Sequence, residues 1–557
     1  MPVRSLQWIR VRLGSHKTQG RYLRFAAILL PFCAYLFLAT GLSDWIIDDA
    51  GITFSYSRSL SQGHGLVSQP GMEPVEGYSN PLWMLTMVPF FLGGIFHPYI
   101  VPKLISYVLV ALTFWLLHRL VSRLTGDFLP ATFAALSLLS VNSSFVIWTC
   151  SGLENPLYAA LIVGLTYLHV EWAAGSCSCE HAPIMSALLA CAIAMTRPDG
   201  VVYATLFPLA LVIGFRPGGN RSRRMLLRGL AVYVSTFVVV FGAFILFRYL
   251  YFHELHPNTY YVKGGPTLDI AVQALTLQGG YLNKSYLLVH SILGPVFWWL
   301  IPIGCIVLLV SALYRVARWR ESVVLTAGTL LTAYVFLILS EDWMGEYRFA
   351  TPFFPLACCC LVVFVHVVLT AIVRGKARLL GIGSAVFVTL LILSVDLHYP
   401  RIQHYVRSKP VSFERIANRF GKRFNDYAAF LQVPDASFLV PDMGGTLYYS
   451  KLRIHDLAGL CDKTIARTRG RDQQRFYDHV FKELKPTFIH THGYFTAVSK
   501  FDDDPRFSSD YVSINEYVDK HVETRYGETR ISGDFVRKDI AADKEAQLDS
   551  LRQGLAP

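Results

Sequence analysis

Charge is scarce in this chain. Only 16% of its 557 residues are Asp, Glu, Lys or Arg, and 53% are hydrophobic. A soluble domain carries about 25% charged residues. The shortage is concentrated in runs long enough to cross a bilayer, which takes roughly 20 apolar residues as a helix. A water-soluble enzyme is therefore excluded, and the mean hydropathy of +0.39 agrees. Cysteine is present but offers no framework. Cys33, Cys150, Cys191, Cys305 and Cys358–Cys360 lie in or beside apolar runs, Cys177 and Cys179 share a short loop, and Cys461 stands alone. That pattern fits neither regular disulfides nor a zinc site. No internal repeat is found, and no glycine loop that would cradle a nucleotide phosphate faces the cytoplasm. No small-residue cleavage site follows the first apolar run, near 25–43, so it reads as a retained transmembrane helix.

The formal net charge is +12, but the basic residues cluster beside apolar segments. This is the positive-inside pattern of a membrane protein, not a nucleic-acid surface. Basic clusters at the N-terminus, Arg119/Arg123, Arg216–Arg228, Arg315/Arg318/Arg320 and Arg374/Lys376/Arg378 mark cytoplasmic loops. Apolar segments near 100–118, 129–147, 156–174, 183–196, 200–215, 229–251, 287–313, 322–340, 350–372 and 379–396 join the first helix to predict about eleven spans. Residues 81–97 read as a juxtamembrane helix, since a crossing there would put Arg119 and Arg123 outside. The pair 183–196 and 200–215 is short, as helices broken around a membrane-level cavity are. An odd number of crossings leaves the N-terminus in the cytoplasm and the C-terminus outside. The outer loops are then 44–98, 148–155, 197–199, 252–286 and 341–349. Two domains are expected: a membrane domain over 1–399 and an extracytoplasmic mixed α/β domain over 400–557. Within the latter, 434–450 reads as strand, glycine turn, strand, and 476–493 as an amphipathic helix then a strand.

The polar residues that could carry chemistry fall on that outer side. Asp48 and Asp49 follow the first helix. Adjacent carboxylates at a membrane surface repel each other and are costly to desolvate, so they need a purpose or a partner. One could take a proton from a hydroxyl that attacks a sugar carbon, the other hold the acceptor or tune the base; solvated acids at a helix end are the plain alternative. Adjacent helical residues do not share a face, so their roles should differ. Glu73, Glu76, Tyr78 and Asn80 offer the hydrogen-bonding groups beside aromatics that polyols require, in what otherwise reads as a turn-rich loop. Arg197 at membrane depth needs an anion, either a phosphate or the carboxylate of Asp199 or Glu154. Lys263 and Arg348 are further phosphate ligands. Residues Glu341, Asp342 and Glu346 lie around Arg348. His253 and His256 raise a divalent metal, which their loose spacing does not support, and no cofactor is expected.

Seven segments occur in order: DDAGITFSYSR (48–58), GHGLVSQPG (63–71), VEGYSNPLW (75–83), SGLENPL (151–157), TRPDG (196–200), LHPNTYYVK (255–263) and EDWMGEYRF (341–349). Together with DMGGTLYYSKLRIHDLAGLCDKTIA (442–466), they resemble the GT-C glycosyltransferases, specifically the branch of the mycobacterial terminal arabinofuranosyltransferases. The EDWM run departs from that branch's usual GGDWM pattern, and the chain is shorter than many of its members. The resemblance implies a GT-C fold in a bacterial inner membrane, with an active site open to the periplasm. It implies a polyprenyl-phosphate sugar donor, arabinofuranose first among the sugars, and an envelope glycan or glycoconjugate acceptor. The base falls on Asp48 or Asp49, and the donor phosphate on Arg197, Lys263 and Arg348. Substrate binding is expected of Arg58, Glu76, Tyr78, Asn80, Glu154, His256, Asn258, Tyr261 and Asp342. The rival readings are transfer of mannose, glucose or aminoarabinose by the same fold, and a lipid or glycan transporter. A transporter would more naturally place its acids at mid-membrane.

Overall fold

A computed structural model describes residues 4–176, 181–214, 220–340 and 342–554. Cys177, Cys179, Arg216 and Glu341 lie outside the described residues. Among the described residues, seven helices are long and apolar enough to cross a membrane: Arg21–Thr40, Val101–Thr125, Asn155–Ala174, Arg224–Phe252, Trp319–Ile338, Phe353–Ile372 and Lys376–Ser408. Two bent pairs raise the number to nine if each pair is one span. The expectation of about eleven counted 183–196 and 200–215 as separate crossings. The helix Ala182–Thr196 has 15 residues, about 22 Å at the α-helical rise and short of a roughly 30 Å hydrocarbon core. Arg197 then leaves the helix in an extended conformation, and Pro198 opens a 3₁₀ turn.

The breaks have local causes. Leu129–Val141 and Ser143–Thr149 meet at 65°, where extended Asn142 caps the second helix by accepting the Phe145 amide at 2.9 Å. Tyr281–Phe297 and Leu300–Val310 meet at 105°, near Gly294, whose φ of +75° precedes Pro295. Residues 81–97 contain only the short helix Pro81–Leu92. The helix Asn220–Phe252 exposes Val238, Val239, Leu246 and Leu250, as a helix facing lipid tails does.

The helix Lys376–Ser408 runs through position 400, and the outer unit starts with a short helix at Phe413. Its sheet has strands β1 (Ser437–Val440), β2 (Arg453–Asp456), β3 (Phe488–Thr491), β4 (Tyr511–Val518) and β5 (Ile531–Arg537). Their order is β2-β1-β3-β5-β4; β1 is parallel to β2 and β3, while β5 is antiparallel to β3 and β4. Alternation sends Phe438 and Phe488 to one face, where Phe424 stacks on Phe438 at 3.7 Å. It sends Leu439, Ile489 and Phe535 to the other. The 434–450 segment differs from the sequence expectation: after β1 the glycine pair starts the helix Gly444–Tyr449, with no second strand. The physical reason lies in the first loop, described next.

Candidate active site

The paired aspartates are held by a three-way stitch. The Ile47 amide donates to Ser151, the Asp48 amide to Val411, and the Phe413 amide to Ile46, while Ile47 and Ser412 form an isolated antiparallel bridge. The first loop is thereby clamped between the membrane bundle and the outer unit just before the helix Ala50–Ser61 begins.

The two carboxylates then diverge. Asp48 is buried, and its oxygens accept the amides of Gly444 at 3.0 Å and Gly445 at 2.7 Å. Those amides can reach it only because residue 444 has no side chain: a Cβ there would sit 1.7 Å from the Asp48 carbonyl oxygen. Burial pushes the Asp48 carboxyl above its usual range, and the Asp442 carboxylate adds to this; the two amide bonds oppose it. Asp49 instead keeps 29% of its side chain exposed and lines a cavity of about 400 Å³.

That cavity gathers eight of the residues singled out in the sequence: Asp49, Tyr78, Asn80, Glu154, Arg197, His256, Lys263 and Arg348. Arg197 bonds Glu154 at 2.9 Å and Asp199 at 3.0 Å, with the Phe349 ring beneath its guanidinium at 4.5 Å. Both carboxylates named as the alternative to a phosphate are thus engaged. Asn80 donates to the other oxygen of Glu154 at 2.8 Å and accepts from Thr53 at 3.1 Å. Burial alone would raise Glu154; Arg197 and Asn80 outweigh it and hold the carboxyl below its usual range. Arg348 pairs with Asp342 at 2.7 Å and lies 3.9 Å from Asp49. Lys263 opens onto the cavity, and among the described residues it has no ion pair within 4 Å. His256 stacks on Tyr260 at 4.5 Å. Among the described residues no three His, Cys, Asp or Glu side chains converge as a metal shell would.

The remaining residues are placed elsewhere. Arg58 donates to the carbonyls of Tyr448 and Leu447 and stacks on the Tyr448 ring. Glu76 takes a bidentate pair from Arg248, at 2.6 and 3.0 Å. Asn258 donates to the carbonyls of Gly459, Leu460 and Asp462. Tyr261 donates to Glu254 at 2.9 Å and lies under Arg467. Asp342 stands behind Arg348. Apart from Asp342, these are joints between the outer unit, the loops and the bundle. Sequence reasoning passed over Arg248, although a lone arginine near the end of an apolar helix is a signal that a buried acid lies opposite.

Residues 413–536 match a family model described as Domain of unknown function (DUF8728). No curated protein matches the sequence. Among solved structures, the chain is similar to the oligosaccharyltransferase AglB from Archaeoglobus fulgidus, solved with an inhibitory peptide and a dolichol-phosphate. The TM-score is 0.54 at 9% identity, over 84% of this chain and 69% of that one. It is similar also to ArnT from Cupriavidus metallidurans bound to undecaprenyl phosphate, with a TM-score of 0.54 at 13% identity over 92% and 98% of the two chains. At such identities the likeness establishes architecture: the chain has the GT-C fold, a polytopic helical membrane domain bearing a small sheet domain at its C-terminal end.

Proposed function

We propose that this protein is a membrane glycosyltransferase. It moves a sugar, arabinofuranose first among the candidates, from a polyprenyl-phosphate donor to an extracytoplasmic envelope glycan or glycoconjugate of a bacterium. The observation that carries the reading is the pairing, on one cavity wall, of an accessible carboxylate at Asp49 with an unpaired cation at Lys263. Two proteins of the same fold were solved holding polyprenyl-type phosphates, and the ordered motifs of residues 48–349 favour the arabinofuranosyl branch.

In this reading Asp49 is the base, because both oxygens of Asp48 are committed to backbone amides. The acceptor oxygen attacks the anomeric carbon and its proton passes to Asp49. The bond from that carbon to the phosphate oxygen breaks, and the polyprenyl phosphate leaves with the electron pair. Lys263 and Arg348 stabilise the charge that grows on the phosphate. Arg197 holds Glu154 and Asp199 in place on the cavity wall, and Tyr78, Asn80 and His256 are left to meet sugar hydroxyls. The cavity opens on the outer face of the cytoplasmic membrane.

The test offers full-length protein in nanodiscs a panel of radiolabelled polyprenyl-phosphate sugars with an envelope acceptor fraction. Transfer from decaprenyl-phosphoryl arabinofuranose is expected, lost in Asp49→Asn and weakened in Lys263→Gln through a donor KM raised about tenfold, the worth of one hydrogen bond to a charged group. Transfer of a different sugar would correct the specificity. Folded protein that transfers from no donor would overturn the reading.

A further inference from the structure

The outer sheet turns one end toward the paired aspartates. β1 runs into Asp442 and then into the Gly444–Gly445 amides that hold Asp48. Its parallel neighbour β3 carries His490 and is followed by His492. Between β2 on one side and β3 on the other, the carboxyl end of β1 is the kind of position where open parallel sheets gather functional groups.

The groups there form a continuous chain. His492 Nε2 lies 3.5 Å from Asp442 Oδ2. His492 Nδ1 lies 3.1 Å from His490 Nε2, and His490 Nδ1 lies 2.6 Å from Asp534 Oδ1. The Phe420 ring packs against both imidazoles, at 4.5 and 6.2 Å. The groups facing Asp442 come from every neighbouring element: Asp48 and Asp49 from the first loop, Arg419 from the segment 417–422, and His490 and His492 from β3 and its end. Asp534 on β5, and Asp519 and Tyr517 at the end of β4, face the histidines.

We propose that Asp442 is a positioning residue for the base, and that the His492–His490–Asp534 chain sets its charge by moving one proton on and off it. The inference rests on the reading of Asp49 as that base. In the step, the Asp442 carboxyl gives its proton to Nε2 of His492. The proton on Nδ1 of His492 passes to Nε2 of His490. An anion is left at Asp442, and a cationic imidazole at His490 donates to the Asp534 carboxylate. No proton is gained or lost. The anion at Asp442 repels the charge on Asp49 and so strengthens its hold on the acceptor's proton. Burial pushes Asp442 up to about 6, against the pull of His490 and Arg419 and with the push of Asp49. Burial, helped by His490 and Arg419, lowers His492 to about 4. Near neutral pH the imidazole of His492 is therefore free to accept, and Asp442 is close to its own titration.

The experiment compares wild type, Asp442→Asn, Asp442→Glu and His490→Gln as full-length protein in nanodiscs. Two readouts are taken: the pH–rate profile, and the infrared carboxyl band that Asp49→Asn removes. Asp442→Asn should move the acid limb and the band titration down by about one pH unit, as expected for losing one nearby charge. It should lower the plateau several-fold with the donor KM unchanged. His490→Gln should act in the same direction, and Asp442→Glu should restore the wild-type profile. A band that titrates identically in wild type and Asp442→Asn overturns the inference. Because the band needs no turnover, a shifted band in protein that transfers from no donor supports the inference and counts against the proposed transfer alone.

Discussion

Asp48 and Gly445 are bonded at 2.7 Å across 397 residues of sequence, carboxylate oxygen to backbone amide, while Asp49 next door faces an open cavity. One carboxylate of the pair fastens the outer unit to the bundle, and the other is free for chemistry. Replacing each in turn should therefore separate stability from turnover. Asp48→Asn puts an amide N–H against an amide N–H donor and should cost about 1–3 kcal/mol. It should appear as a lower Tm and faster proteolysis of the outer unit in nanodiscs. Asp49→Asn should melt like wild type yet lose about 10²–10⁴-fold in turnover, the usual worth of a general base. Equal melting of the two variants would dissolve the division of labour.

The same joint makes a second prediction about residue 444. A Cβ on Gly444 would lie 1.7 Å from the Asp48 carbonyl oxygen and 2.5 Å from its carbon, and backbone atoms cannot swing aside as a flexible side chain would. Gly51 reciprocates: a Cβ there would meet the Gly444 backbone at 2.4 Å. Gly444→Ala should undock the outer unit, with protease cutting near 409–412 and loss of transfer. Gly242→Ala, where nothing lies within 4 Å, should melt at or slightly above the wild-type temperature, since alanine is the better helix former by about 1 kcal/mol. Intact docking in Gly444→Ala would show that the joint has more room than the coordinates give it.

These two joints also show where sequence reasoning stops. The order of motifs and the apolar runs pointed to the fold and gathered eight cavity residues, because those residues sit on short loops next to span ends. The different fates of Asp48 and Asp49 depend on amides almost 400 residues away, and no local pattern carries that. The glycine pair after β1 reads locally as a turn between strands. It opens a helix instead, because its amides must point at Asp48. Glu76, Asn258 and Tyr261 have the composition of a polyol site, yet their partners are Arg248, the carbonyls of 459–462 and Glu254. Polar side chains that recognise a sugar and polar side chains that pin a loop are the same residue types, and tertiary neighbours decide between them.

Glu76 and Arg248 are the most testable of these pins. Both are buried, and the guanidinium spans both carboxylate oxygens. Removing one partner leaves an uncompensated buried charge, at about 3–5 kcal/mol, whereas removing both together costs far less. Glu76→Gln and Arg248→Met should each lower the Tm strongly, and the double variant should recover most of the loss. A double-mutant cycle on thermal unfolding in detergent measures the coupling. Additive losses would mean that the pair contributes nothing beyond its separate packing.

Asp456, at the end of β2, couples the outer unit to pH. It accepts the amides of Gly459 at 3.0 Å and Cys461 at 2.7 Å, and burial raises its carboxyl to about 7 despite those bonds and Arg469. An unfolded aspartate titrates near 3.9, so between those values the folded chain binds the extra proton. The stability it contributes is then fully present below about 4 and falls as pH rises through about 7. Asp456→Asn keeps an oxygen for one amide and removes the titration. The stability difference between wild type and this variant, followed by hydrogen exchange at the β2 amides from pH 4 to 8, should therefore shift steadily against wild type as pH rises. A difference that stays flat, or that runs the other way, would show that the two amide bonds keep the carboxylate ionised throughout.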